Sequence, residues 1–106
     1  MISADVIREL PVVRDKYGYW THPCFFNEKM NISFEVWTAQ NQLTWKFSFF
    51  ENEANESVCA SYHKGEADIN GWVPFKPAGD GWFIGSIHDT EEGPVCVWLC
   101  PVREKI

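Results

Sequence analysis

The chain has 106 residues, a formal net charge of −6 at pH 7 and four cysteines, and 16% of its residues are aromatic. A chain of this length can bury enough surface to fold without metals or disulfides, so we expect residues 1–106 to form a single small globular domain. The acidic balance, with no run of Lys or Arg, argues against direct nucleic-acid binding and against binding to an anionic membrane surface.

The beginning of the sequence favours a cytoplasmic location. It carries Asp5, Arg8 and Glu9 where a signal peptide would have its apolar run. No later stretch approaches the roughly 20 apolar residues of a membrane span. We therefore expect a cytoplasmic protein without a membrane segment, whose cysteines are reduced thiols.

The first predicted elements along the chain are helical. Residues 2–10 have apolar positions at helical spacing, and Pro11 ends that segment. The better-marked helix has about ten residues. Asn31 is expected to cap it, and Asn41 is expected to stop it in a left-handed conformation. Its apolar stripe consists of Ile32, Val36 and Ala39, flanked by Phe34 and Trp37.

Four strands are predicted after this helix, over residues 43–50, 58–63, 82–87 and 95–99. Apolar and polar residues alternate along the first of them, which is typical of a strand with one apolar face. Residues 51–57 are expected to form an acidic loop, and residues 89–94 a tight turn between the last two strands. The last strand is apolar on both sides, which favours a central strand covered on both faces. The sequence thus predicts an α+β fold: a sheet of about four strands, mainly antiparallel, with one short helix packed on it.

The cysteine and histidine residues suggest a zinc site formed from Cys24, Cys59, His63, Cys96 and Cys100, with His22 nearby. The spacing argues against it. Cys96 and Cys100 are four residues apart on a predicted strand, about 13 Å at roughly 3.3 Å per residue, whereas each thiolate on Zn²⁺ lies about 2.3 Å from the ion. The same objection applies to Cys59 and His63. We therefore expect buried thiols that pack as small apolar groups, and neither a metal nor a cofactor.

His88 and Asp89, with Glu91 nearby, form the cluster that most resembles a catalytic site. A histidine beside carboxylates can act as a general base with a raised pKa. The same stretch is also what a hairpin turn requires, and a solvated turn offers a base no desolvated pocket. Ser86 points the same way as His88 on a strand, but the sequence has no Gly-x-Ser-x-Gly pattern. The sequence therefore predicts no enzyme, with catalysis by His88 as an alternative.

Three aromatic residues, Trp20, Trp72 and Phe75, lie in segments predicted to be extended or looped, outside the periodic elements. Each of them could close the edge of the core. If they are exposed together, they form an apolar patch suited to a protein partner. Together with His88, at the predicted hairpin tip, they are the binding residues of the sequence-based hypothesis.

Three segments of the chain resemble small proteins encoded in lambdoid (enterobacterial) prophages. They are the Tyr-Gly-Tyr-Trp-Thr-His-Pro run at 17–23, the amphipathic stretch at 34–43 with its central Trp, and residues 65–99 with their ordered Ser-Ile-His-Asp-Thr-Glu and Gly-Pro-Val strings. Glu92 stands where Asp is more often expected in that family. The resemblance carries over no catalytic or ligand-binding residue. It implies an accessory protein in host takeover, defence evasion or regulation, roles that are usually played by binding.

The resulting functional hypothesis is a prophage-encoded accessory protein that binds a host or phage protein without catalysis. An alternative is an acidic mimic of nucleic acid that occupies a DNA-binding host protein. The carboxylates of that alternative are Glu51, Glu53, Glu56, Asp89, Glu91 and Glu92. The mimic requires these side chains to be spaced along one face of the molecule.

Overall fold

The computed structural model describes residue 7, residues 9–65 and residues 68–102. The strands in this part of the chain are β1 (Trp20–Thr21), β2 (Leu43–Phe49), β3 (Phe83–Thr90) and β4 (Gly93–Pro101). The helices are α1 (Phe34–Gln40), α2 (Phe50–Glu53) and α3 (Glu56–His63), and a 3-10 helix (Glu28–Met30) precedes α1. The predicted α+β class is confirmed.

The four strands form one sheet in the order β1-β3-β4-β2, and all neighbours are antiparallel. β4 is therefore a central strand, as predicted. β2 pairs with it from Leu43 opposite Pro101 to Phe49 opposite Val95. β3 pairs with its other side, and the register shifts at a bulge after Ile84.

The bulge lies where the sheet meets the loop that follows β1. A Cβ on Gly85 would come within 2.6 Å of Leu99 Cδ1 and 3.1 Å of Phe25 Cε1, so a larger residue here would have to displace both side chains. The Gly85 carbonyl accepts a hydrogen bond from the His22 amide at 2.8 Å. His22 Nδ1 in turn accepts one from the Cys24 amide at 3.0 Å, and the His22 carbonyl accepts one from the Phe25 amide at 2.9 Å. These bonds fix Phe25 against the sheet.

Each face of the sheet has its own buried cluster. On one face the cluster consists of Phe50, Ile69, Trp72, Trp82, Ile87, Cys96 and Trp98. On the other face it consists of Ile7, Trp37, Leu43, Phe83, Val97 and Leu99. Since β4 contributes to both clusters, the predicted covering of this strand on both sides is confirmed. The first cluster is covered by α2, α3 and the segment 68–78, and the second by α1 and the loop after β1.

The predicted strand over 58–63 is wrong, because these residues belong to helix α3. The helix begins after Asn55, whose side chain accepts a hydrogen bond from the Val58 amide at 3.0 Å. Val58, Cys59 and Tyr62 pack at helical spacing against the first cluster. Residues 51–57, predicted as a loop, lie largely in α2 and the start of α3. The fourth strand is instead the short β1, in which Trp20 lies opposite Ile87.

Three boundaries also differ from the prediction. α1 begins after Ser33, whose hydroxyl accepts a hydrogen bond from the Val36 amide at 3.1 Å. Asn31 instead follows the 3-10 helix, with φ 61°, and the left-handed residue after α1 is Gln42 and not Asn41. β3 and β4 extend to Thr90 and Gly93, which leaves a tighter turn than the predicted 89–94. The helical pattern predicted over 2–10 lies mostly outside the described residues.

Arg14 joins the segment before β1 to the segment that follows α3. Its guanidinium donates from Nε to the Gly18 carbonyl at 2.8 Å, from Nη1 to that of Trp72 at 2.7 Å and from Nη2 to that of Ile69 at 3.0 Å. Desolvation lowers the pKa of Arg14 from its ordinary value, with partial compensation by Cys96 and Asp68. A guanidinium can satisfy all three carbonyls at once because its donors lie in a rigid planar fork.

Replacing Arg14 with Met is therefore expected to lower the free energy of unfolding by about 2–4 kcal/mol. The Gly18 and Trp72 carbonyls would lose the donor that Arg14 supplies, at roughly 1–3 kcal/mol each, whereas the Ile69 carbonyl still accepts from the Trp72 amide. Urea denaturation followed by tryptophan fluorescence measures this change. Lys16→Met, at an exposed cation nearby, is the control, and its effect should stay within about 0.5 kcal/mol. Equal stability of Arg14→Met and wild type would contradict the bridging role of Arg14.

Candidate functional site

A concave feature among the described residues results from a difference in length between α1 and the sheet. The seven residues of α1 span about 10 Å, whereas the nine residues of β4 span about 30 Å. Within the described residues, the sheet face that α1 packs on is left open towards the β3–β4 turn. The opening is a groove of about 430 Å³, which we call the aromatic groove.

The aromatic groove has apolar walls and a few polar groups. Its aromatic lining is Phe25, Phe26, Phe34, Trp45, Phe47 and Phe49. Val95 and Val97 of β4 and the polar residues Glu35, His88, Thr90 and Glu92 complete it. The phenyl and indole groups of β2 come from alternate positions of one strand, so they lie on one face of the sheet.

The rings of the groove hold one another in position. Phe34 of α1 contacts Trp45 at 5.3 Å and Phe47 at 6.1 Å between ring centroids, and Trp45 stacks on Phe47 at 4.9 Å. Such pairs contribute about 0.5–1.5 kcal/mol each beyond their buried area. Phe47 nevertheless remains 44% exposed. The groove is thus a preformed apolar surface open to solvent.

His88 lies in the groove, and the structure differs here from the expected solvated turn. The residue belongs to β3 and is half-buried, with its ring 6.5 Å from that of Phe25. Its Nδ1 is 2.8 Å from Ser86 Oγ, which is 3.1 Å from Thr21 Oγ1 on β1. The Nε2 atom of His88 has no partner among the described residues, so it is the ring nitrogen available to a ligand.

Burial sets the protonation state of His88. Desolvation lowers its pKa below the ordinary 6.5, and the neighbouring Asp89 only partly offsets this effect. The raised pKa that the general-base alternative attached to a histidine beside carboxylates is therefore wrong in direction. At neutral pH the imidazole is uncharged, with its Nδ1 engaged by Ser86.

The structure does not bring the four binding residues of the sequence-based hypothesis together. Trp72 is only 1% exposed, and its indole N–H donates to Glu53 Oε1 at 3.2 Å, so it is a core residue that a partner cannot contact. Trp20 is partly buried on β1. Phe75 is 69% exposed, but it lies beside Ser48, on the sheet face opposite the groove. Among these four, His88 alone lines the groove.

The groove residues that sequence reasoning missed are the aromatic side chains of β2 and α1. Phe34, Trp45, Phe47 and Phe49 have the regular spacing that is typical of core residues, so the sequence does not distinguish them from the core. One signal could have identified them. Three large rings on one face of a seven-residue strand present more apolar area than a helix of two turns can cover.

The carboxylates of the proposed nucleic-acid mimic have different roles. Glu53 is used inside the fold, since its Oε1 accepts hydrogen bonds from Trp72 Nε1 and from the Phe75 amide at 2.9 Å. Asp89 accepts a hydrogen bond from the Tyr62 hydroxyl at 3.2 Å. Glu51 lies 3.9 Å from His63 Nε2. Glu51, Glu53 and Asp89 therefore make contacts within the fold.

The cysteines are free thiols, and Cys96 is fully buried. Desolvation raises the pKa of Cys96 to about 12, which makes this thiol unreactive at neutral pH. Within the described residues, no group of three or more His, Cys, Asp or Glu side chains is placed to hold a metal ion. In the same part of the chain, no helix combines the length and the apolar character that crossing a membrane would require.

Comparisons of the chain with protein-family models, with curated proteins and with solved structures found no match. The functional inference therefore rests on the groove and on the chemistry of its lining residues.

The imidazole titration of His88 tests the burial of this residue in solution. Its midpoint in the folded protein should lie below 6.5, as measured by two-dimensional NMR, with His88→Gln used to assign the resonance. Because folding lowers this pKa, the unfolded chain takes up the proton at a higher pH than the folded protein. The resulting stability is present above about pH 6.5 and is lost as pH falls towards the folded-state value. A midpoint at or above 6.5 would contradict the buried environment.

Proposed function

We propose that this protein is a non-catalytic protein-binding module that holds an apolar segment of a partner protein in its aromatic groove. The observation that supports this most is the preformed set of partly exposed rings, with Phe47 the most exposed, on the part of the sheet that α1 leaves open. Contiguous exposed apolar surface is typical of interaction sites, and aromatic residues dominate binding energy at such sites.

The charges of the groove indicate the character of the partner. Glu35 and Glu92 line it, and none of the lining residues within the described part of the chain is Lys or Arg. The whole chain carries a net charge of −6. A partner segment with Lys or Arg beside its apolar residues is therefore complementary to the groove, and this complementarity also speeds association. The resemblance of residues 65–99 to prophage proteins supports a host or phage protein as this partner.

Phe47→Ala is expected to reduce partner binding at least tenfold, because it removes the most exposed ring of the groove. The measurement is affinity capture from a bacterial lysate with quantitative mass spectrometry, comparing each variant with wild type. Phe75→Ala is the matched control: it also removes an exposed ring, but from the opposite face. Circular dichroism checks that both variants fold.

The outcome of this comparison distinguishes the two surfaces. Loss of partners with Phe47→Ala and their retention with Phe75→Ala supports the groove. The reverse result would support a patch around Phe75 and would contradict the groove proposal, as would retention of every partner by both variants.

A second candidate is an enzyme that uses His88, and the position of this residue in the groove favours it. A volume of about 430 Å³ is within the range of small-molecule sites, and a neutral imidazole held by Ser86 could act as a general base through Nε2. Incubation with a mixture of small metabolites, followed by NMR, tests this candidate. It requires consumption of a compound by the wild type that His88→Gln abolishes while Phe75→Ala does not.

A further inference from the structure

The outer edge of β2 is unpaired in the part of the chain that the structure describes. β2 is the terminal strand of the sheet, and its inner edge is hydrogen-bonded to β4. Among the described residues, the backbone groups of 44–49 make no hydrogen bond to a loop or turn. An open edge of this kind is a template for an additional strand.

The direction of each backbone group on β2 follows from one hydrogen bond. The Val102 amide donates to the Gln42 carbonyl at 2.7 Å, and this pair continues the β2–β4 register. In an antiparallel ladder, hydrogen-bonded and non-bonded pairs alternate. Even-numbered residues of β2 therefore bond to β4, whereas Trp45 and Phe47 direct their N–H and C=O groups outward. Pro101, which has no N–H, lies opposite Leu43 in a non-bonded pair, in agreement with this assignment.

The residues with outward backbone groups are the same residues that line the aromatic groove. In an added antiparallel strand, a residue bonded to Trp45 or Phe47 would place its side chain on the groove side of the sheet. Backbone pairing and insertion of side chains into the groove are thus compatible in a single bound segment.

A second copy of this chain is a poor occupant of the edge. The antiparallel register that pairs the whole of β2 with itself places two copies of Lys46 opposite each other, and like charges in that position are destabilising. Each copy also carries a net charge of −6. A segment of another protein that carries Lys or Arg has neither the Lys46 pair nor the matching negative charge, and it is complementary to Glu35 and Glu92.

We propose that the partner segment binds as an extended strand added to β2, with alternate apolar and Lys or Arg side chains directed to the aromatic groove. This inference rests on the proposed function and adds the mode of recognition. The β2 backbone supplies main-chain hydrogen bonds, and the groove selects the alternate side chains.

The probe is the capped peptide Thr-Arg-Thr-Phe-Thr-Val-Thr-Arg, which has Arg, Phe and Val on one face of an extended strand and Thr on the other. Binding is measured by calorimetry. Methylating the backbone nitrogens of the Phe and Val residues should weaken binding at least tenfold, because these amides face β2. Methylating the nitrogens of the two Thr residues that flank Phe should leave the affinity within about threefold, because those amides face away. Replacing both Arg residues with Glu should weaken binding at least tenfold.

Amide hydrogen exchange gives a readout that needs no substitution. The Trp45 and Phe47 amides should exchange rapidly in the free protein and slow at least tenfold when the peptide is bound. The Lys46 amide, which bonds to β4, should be slow in both states.

Equal effects of the two methylation patterns, or unchanged exchange at Trp45 and Phe47, would overturn strand addition, and so would a lack of peptide binding at millimolar concentration. Phe47→Ala tests the groove proposal separately from strand addition. Thr44→Ala is its control, because Thr44 lies in the same strand but on the opposite face of β2. A dimer of the free protein in analytical ultracentrifugation that protects the same amides would assign the edge to a second copy and would also overturn the proposal.

Discussion

The burial of β4 on both faces is the constraint on which the rest of the structure depends. Every residue from Gly93 to Leu99 is buried. Burying one large apolar side chain contributes about 1.5–3 kcal/mol, so Trp98 on one face and Leu99 on the other stabilise the sheet only if each face is covered. The chain before the β3–β4 hairpin supplies both covering layers.

The two layers are held in different ways. On the α1 face, ring contacts dominate, and the His22 loop fixes Phe25 beside the sheet. On the other face, much of the cover is the irregular segment 68–78, whose backbone lacks strand or helix partners. Arg14 and Glu53 satisfy this backbone with charged side chains, through the carbonyls of Ile69 and Trp72 and the amide of Phe75. Hydrogen bonds to charged groups are stronger than neutral ones, which explains how such a segment can form a stable layer.

Much of the sheet could be predicted from the sequence, because alternation along β2 and two-sided apolarity along β4 are direct consequences of strand geometry. The helix α3 could not, since Val58, Ala60 and Tyr62 also alternate, and only the cap at Asn55 distinguishes the two structures. β1 has two residues, too few for any periodic signal. The groove depends on how far α1 reaches along the sheet, which is a matter of tertiary geometry. The same rings of β2 would be core residues under a longer helix.

An open apolar groove beside an unpaired strand edge carries a risk of self-association, and the chain limits this risk in two ways. Lys46 occupies the middle of the edge strand, where a charge opposes pairing between identical strands. The net charge of −6 adds repulsion between copies. Neither feature hinders a segment from another protein whose cations face the groove. Lys46 lies on the opposite face of β2, and these cations are attracted to Glu35 and Glu92. The features that disfavour self-pairing are thus the ones that leave the edge and the groove available to a different chain.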